Sequence, residues 1–192
     1  MHMKKSATLL LVFALLSFSA FAQKDEDGAF PKGSLAINAG IGLGDVYWGT
    51  GYGTGFPVAP TLSIDYALTN KIGIGNIGVG GVVSYTSTKY SDGVGDDYKF
   101  SGILVGLRGT YHFILPIDKL DPYAGVIVGY VISNSSLPGD YVAGYGPDGK
   151  ASGVQPGAFV GAHYFFTPMF GVHAELGYNV FSVLNLGITL KF

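Results

Sequence analysis

Cysteine is missing from this 192-residue chain, which excludes a disulfide framework and any thiolate metal site. Charge is scarce too: Asp, Glu, Lys and Arg make up 12% of the residues, and the formal net charge is −2. A chain so weakly and negatively charged has no basic footprint for nucleic acid, and no nucleic-acid partner is expected. Long apolar runs are missing beyond residue 22, so no later segment reaches the roughly 20 apolar residues that a spanning helix needs. Yet 48% of the chain is hydrophobic, with 31 Gly, 13 Tyr and 13 Phe. Such a composition is awkward for a water-soluble globule. Alternating strands offer another way across a bilayer, because a closed barrel pairs every backbone group without long apolar runs.

The N-terminus has the layout of an export signal. Lys4 and Lys5 form a short positive region, Ala7 to Phe18 an apolar core, and Ala20-Phe21-Ala22 a small-x-small cleavage pattern. The expected division is a signal peptide over residues 1–22 and one barrel domain over residues 23–192. Removing the signal takes away two lysines and no acid, leaving 9 basic against 13 acidic residues, or −4.

Eight alternating segments follow, roughly 33–43, 58–68, 76–89, 98–113, 122–134, 154–166, 170–179 and 184–192. Leu35, Ile37, Ala39, Ile41 and Leu43 make the apolar set of the first; Ile103, Val105, Leu107, Tyr111 and Phe113 make that of the fourth. The third segment is hardest to phase, because Gly73, Gly75, Gly78, Gly80 and Gly81 blur the alternation. Connections after the second, fourth and sixth segments are tight, whereas those near 44–57, 90–97 and 135–153 are longer. Short periplasmic turns and longer outer loops are the pattern of outer-membrane barrels. A lipocalin-type barrel would keep its apolar set inside and its polar set wet. Here the face opposite the apolar set is small or polar, as in Ser34, Ala36, Asn38 and Gly40, or Gly171, His173, Glu175 and Gly177. Aromatics fall into two bands. Tyr66, Tyr111, Phe113, Tyr164, Phe165, Phe166, Phe170 and Phe192 lie toward the tight turns; Tyr85, Tyr90, Tyr98, Tyr130 and Tyr178 lie toward the long loops, as interfacial girdles would.

The final segment, Asn185-Leu-Gly-Ile-Thr-Leu-Lys-Phe192, alternates throughout and resembles the C-terminal assembly signal of bacterial outer-membrane barrels, with Asn185, Gly187, Leu190 and Phe192 at its marked positions. With Gly106–Phe113, Asp121-Pro-Tyr-Ala-Gly125 and Ala174–Tyr178, it makes residues 23–192 look like the small eight-stranded OmpA/OmpX-like outer-membrane barrels. The resemblance implies an all-β fold, an eight-stranded antiparallel up-and-down transmembrane β-barrel in the outer membrane of a Gram-negative-type envelope. It further implies contact with outer-membrane lipids and lipopolysaccharide, insertion by the barrel assembly machinery, and a monomer. No cofactor is implied.

Candidate functional residues fall into two groups. Arg108 and Glu175 take the inward phase and are expected to pair in the lumen, with Asp65, His112, His163 and His173 in the same polar network. The histidines come from the fourth, sixth and seventh segments, and nothing in their spacing brings them to one point. Hydrogen bonding to Asp65, Arg108 or Glu175 is therefore expected rather than metal binding. The second group is the outer loops, where Tyr47, Trp48, Tyr52, Phe56, Tyr141 and Tyr145 could meet an extracellular ligand. A lipid A-modifying enzyme would need a serine with a histidine base near the outer end. Ser84, Ser87, Ser91, Ser133, Ser135 and Ser136 lie at that end, but the histidines lie at the other. The expected role is structural or surface-interacting and non-catalytic, with a small passive pore as the alternative and a lipid A-modifying enzyme third.

Overall fold

A computed structural model describes residues 28–44, 58–91, 97–136 and 152–192 of the chain. The segments 1–27, 45–57, 92–96 and 137–151, and with them the signal-peptide reading and the loop aromatics Tyr47, Trp48, Tyr52, Phe56, Tyr141 and Tyr145, lie outside the described residues.

Each alternating segment is a strand: β1 Leu35–Leu43, β2 Val58–Ala67, β3 Gly75–Ser91, β4 Asp97–Phe113, β5 Leu120–Ser136, β6 Gly153–Phe165, β7 Phe170–Tyr178 and β8 Leu184–Lys191. Every strand pairs antiparallel with its sequence neighbours, and β8 pairs with β1, so the sheet closes into a barrel. Closure leaves no edge strand whose backbone groups lack partners. Leu35 and Phe192 exchange both backbone bonds at 2.9 Å, fastening the last residue to the start of β1.

Two-residue alternation sorts the side chains. Leu62, Ile64, Val105, Leu107, Val126 and Val128 project outward and are exposed. Asn38, Asp65, Arg108, His112, His163 and Glu175 project inward and are buried. This is the inverse of a water-soluble protein. An apolar exterior continuous around a closed sheet is stable only against lipid. β3, ambiguous in sequence, follows the same rule, with Ile77, Val79, Val83 and Tyr85 outward and Asn76, Val82, Ser84 and Thr86 inward. Among the described residues, Phe165 departs from the expected girdle: it is 2% exposed and faces the lumen, because it sits one residue out of phase with Tyr164 and Phe166, while the side chains of Tyr90 and Tyr98 lie outside the description.

Strand length differs around the barrel. A strand rises about 3.3 Å per residue, so the nine residues of β1 cover roughly 30 Å. Tilted by about 40°, that spans the roughly 25 Å apolar band of such barrels. β3, β4 and β5 have 17 residues each, nearly twice as many, and the excess lies at the long-loop end. These three strands therefore stand above the membrane as a ridge.

The lumen is filled rather than open, as expected for eight strands. In the loop half, Leu104, Ile127, Val131 and Phe159 form an apolar cluster with Val180 and Phe181. The last two belong to the β7–β8 turn, which folds inward: Val180 is completely buried and Phe181 is 2% exposed. Gly102 makes room for that ring, since a Cβ there would lie 3.0 Å from Phe181 Cζ. In the turn half, the segment before β1 enters the mouth and buries Phe30. Asn76 Nδ2 donates to the Phe30 carbonyl at 2.7 Å, and Lys191 Nζ donates to the Ala29 carbonyl at 2.7 Å. Neither plug was foreseen from the sequence. Both lie in connections, where alternation says nothing about direction.

Candidate functional site: the polar lumen

Between the two plugs lies a continuous polar network, and Arg108 is its hub. Its position on β4 faces Gly80 of β3 and Ile127 of β5 across the sheet, and its side chain crosses the lumen. Nη2 donates to Glu175 Oε1 at 2.7 Å, and Nη1 donates to Ser63 Oγ at 3.0 Å. Nε stands 3.1 Å from Asp65 Oδ1, an ion-pair contact whose N–H is poorly aligned for a hydrogen bond. The guanidinium also lies 4.5 Å from the Phe159 ring centroid, a geometry in which the ring face attracts the cation. Tyr123 completes the group by donating to Glu175 Oε1 at 2.9 Å. Buried charge is costly unless paired and hydrogen-bonded, and here one cation is shared by two carboxylates.

A second cluster lies toward the turn end. His112 and His163 face each other with nearly parallel rings, 13° apart, and both direct Nδ1 at Asp121. Each Nδ1 lies 2.9 Å from Asp121 Oδ2. The expectation that the histidines would not converge, and would bond Asp65, Arg108 or Glu175, is thus corrected for this pair. Antiparallel register brings them together: β5 lies between β4 and β6, with Asp121 opposite His163 and Tyr123 opposite His112. His173 offers no nitrogen to Asp121: its ring stands edge-on to that of His163, centroids 6.2 Å apart, with Nδ1 3.2 Å from Thr189 Oγ1.

Asn38 joins the clusters. Its Nδ2 lies 3.4 Å from both Asp65 Oδ2 and Ser63 Oγ, and its Oδ1 accepts from Thr189 Oγ1 at 2.7 Å and faces His163 Nε2 at 3.1 Å. Thr110 lies between His112 Nε2, at 3.0 Å, and Asp65 Oδ1, at 3.5 Å. Phe30 covers the cluster, its ring centroid 4.4 Å from that of His112.

Of the residues singled out in the sequence, Arg108 meets both Glu175 and Asp65, and His112 and His163 meet through Asp121. Asn185 is buried on the inward side of β8, whereas Leu190 and Phe192 are exposed outward, and Gly187 faces Gly40 across the β1–β8 seam. Sequence reading did not assign Asp121, Tyr123, Asn38, Ser63, Thr110 or Phe30 to the network, although it placed Asn38 on the inward face. The first five share the inward parity of their strands, so the signal was present; Phe30 precedes β1 and gave none.

Fold and surface together define a transmembrane β-barrel of the outer-membrane type, and the architecture expected from the OmpA/OmpX-like resemblance is the one observed. No protein-family model and no curated protein matches the chain. Among solved structures it is similar to the outer membrane protein OprG from Pseudomonas aeruginosa, with 14% identity over 88% of this chain and 99% of that one, and a TM-score of 0.54. It is similar also to Ail, the attachment invasion locus protein of Yersinia pestis, in complex with the heparin analogue sucrose octasulfate. There the identity is 17% over 84% of this chain and 99% of that one, with a TM-score of 0.50. Likeness at these identities is likeness of fold.

Proposed function

We propose that this protein resides in the outer membrane as a non-conducting, non-catalytic barrel that presents its loops to an extracellular partner. The observation that carries the reading is the filled lumen. Phe30 occludes one end, Phe181 the other, and the Arg108 and Asp121 clusters occupy the space between. A barrel so packed has no use for a passage, while its longest strands raise β3, β4 and β5 above the bilayer at the loop end. Lipid and lipopolysaccharide surround the apolar wall, the barrel assembly machinery inserts it, and the protein works as a monomer.

Loop chemistry narrows the partner. The outer connections 44–57, 90–97 and 135–153 carry Asp45, Asp92, Asp96, Asp97, Asp140 and Asp148 against Lys150, together with Tyr47, Trp48, Tyr52, Phe56, Tyr141 and Tyr145. Acidic, aromatic loops suit a neutral sugar or a basic protein surface. They do not suit a polyanion such as the sucrose octasulfate held by Ail.

Catalysis is disfavoured by burial. Asp121, His112 and Thr110 are aligned as acid, base and hydroxyl, but all three are buried beneath Phe30 and the Thr110 hydroxyl is already shared with Asp65. A substrate has no approach to that hydroxyl. The passive pore is the second reading.

The test is binding of the purified full chain to immobilised neutral glycans and to basic and acidic protein surfaces. Replacing Tyr47, Trp48, Tyr52 and Phe56 by serine should abolish the binding without changing folded yield. Binding that survives this change, and the matching change of Tyr141 and Tyr145, contradicts a loop-mediated role. Loss of acyl chains from lipid A on incubation with the protein, read by mass spectrometry, would replace it with an enzymatic one.

A further inference from the structure

The lumen's charges do not balance. Among the described residues, three carboxylates are buried there, Asp65, Asp121 and Glu175, against one guanidinium, that of Arg108. Arg108 lies between Asp65 and Glu175. Asp121 meets the two imidazoles instead. Lys191 stands at the rim, its ammonium on the Ala29 carbonyl and 4.2 Å from the Phe165 ring centroid.

The far nitrogens of the two rings fix what the near ones offer. Asn38 turns its amide nitrogen to Asp65 and Ser63, so its oxygen is what faces His163 Nε2 at 3.1 Å. That oxygen only accepts, and Nε2 of His163 carries a proton. Thr110 directs its hydroxyl toward Asp65, leaving a lone pair for the Nε2–H of His112 at 3.0 Å. A neutral imidazole with Nε2–H has its lone pair on Nδ1. With both rings neutral, the two Nδ1 lone pairs converge with a carboxylate on one buried point. Three electron-pair donors cannot share such a point without positive charge between them.

We propose that His112 Nδ1, His163 Nδ1 and the Asp121 carboxylate form a site for one divalent transition-metal ion of the zinc class, sealed beneath Phe30. The donor set of two imidazoles and one carboxylate suits Zn²⁺ or Co²⁺, and it lacks the six to eight oxygens that Ca²⁺ takes. A tetrahedral ion with bonds of about 2.0–2.1 Å wants ligand atoms roughly 3.3 Å apart. The three ligand atoms here lie within 4.8 Å of one another, and both nitrogen–oxygen edges are 2.9 Å. For one ion to hold both rings, the imidazoles must turn until the two Nδ1 atoms lie roughly 3.3 Å apart. The outer hydrogen bonds are those of a metal site, each ligating ring donating its other N–H to a fixed acceptor, Asn38 or Thr110. A charge of +2 also offsets the excess of three carboxylates over one guanidinium, beside the Lys191 ammonium at the rim.

The test uses the full chain purified from membranes in detergent, stripped with a chelator, then titrated with CoCl₂ or ZnCl₂. Wild type should show Co²⁺ visible ligand-field bands saturating at one equivalent, and a rise of several degrees in its unfolding temperature with micromolar Zn²⁺. Asp121→Asn and His163→Gln should each lose the bands and the rise, while His173→Gln keeps both, since His173 bonds Thr189 and contributes no ligand atom. Retention of full binding by Asp121→Asn and His163→Gln would place the ion elsewhere and overturn the assignment. Should those variants fail to fold, wild type still decides. Without bands and without stabilisation by Zn²⁺, the cluster is a hydrogen-bonded network only and the proposal fails.

Discussion

Removing Arg108 should destabilise the barrel more than removing any single partner, and the structure says by how much. Arg108→Ala deletes contacts to Glu175 at 2.7 Å, Ser63 at 3.0 Å and Asp65 at 3.1 Å. Breaking one buried ion pair costs about 3–5 kcal/mol, because the survivor is left charged and dry. Here two carboxylates are stranded, so about 5 kcal/mol is expected. Glu175→Ala leaves Arg108 with Asp65 and should cost about 3 kcal/mol, the lower end of that range. In the double variant Glu175 is no longer stranded by the loss of Arg108. The combined loss should fall short of the sum of the single losses by about 2–3 kcal/mol, the upper part of the roughly 0.5–3 kcal/mol coupling found between residues in direct contact. Urea unfolding in lipid vesicles, followed by far-ultraviolet circular dichroism and by the mobility difference of folded barrel on gels, measures all four proteins. Additivity within about 0.5 kcal/mol would refute the reasoning, since it would mean that the two side chains do not meet.

Two further perturbations probe other parts of the structure. Val180 is a β-branched residue with φ of 64°, a left-handed conformation that costs about 1–2 kcal/mol for such a side chain. Val180→Gly loses the buried isopropyl group but relieves that strain, whereas Val180→Ala loses most of the packing and keeps the strain. Thermal unfolding should therefore rank alanine below glycine, the reverse of the usual order. Deleting Phe192 removes two backbone bonds to Leu35 and an outward ring at the turn-end rim. Folded protein recovered from outer membranes should drop severalfold, and an undiminished yield would contradict the role given to that residue in closure.

The fold was almost wholly legible in the sequence, and the reason is the period. A barrel wall has two faces of opposite chemistry, so a chain such as Leu107-Arg-Gly-Thr-Tyr-His-Phe113 declares inside and outside at nearly every step. Even the glycine-rich β3 keeps phase through Ile77, Val79, Val83 and Tyr85. Parity placed Arg108, Glu175, Asp65 and the three histidines in the lumen. It could not say which inward residues meet, because that depends on strand stagger. Asp121 receives His112 and His163 only because β4 and β6 flank β5 in this register. Connections escape parity altogether. Phe30 and Phe181 lie in connections, yet each turns inward and plugs a mouth, Phe181 filling space left by Gly102.

Conductance across a planar bilayer tests the central claim most directly, because a lumen closed by Phe30 and Phe181 and crossed by the Arg108 ion pairs leaves ions no path. Purified full-length protein, verified as folded and inserted, should give no discrete current steps at any ionic strength or moderate voltage. Reproducible unitary steps that disappear when the protein is heat-denatured before insertion would contradict the account and establish a pore.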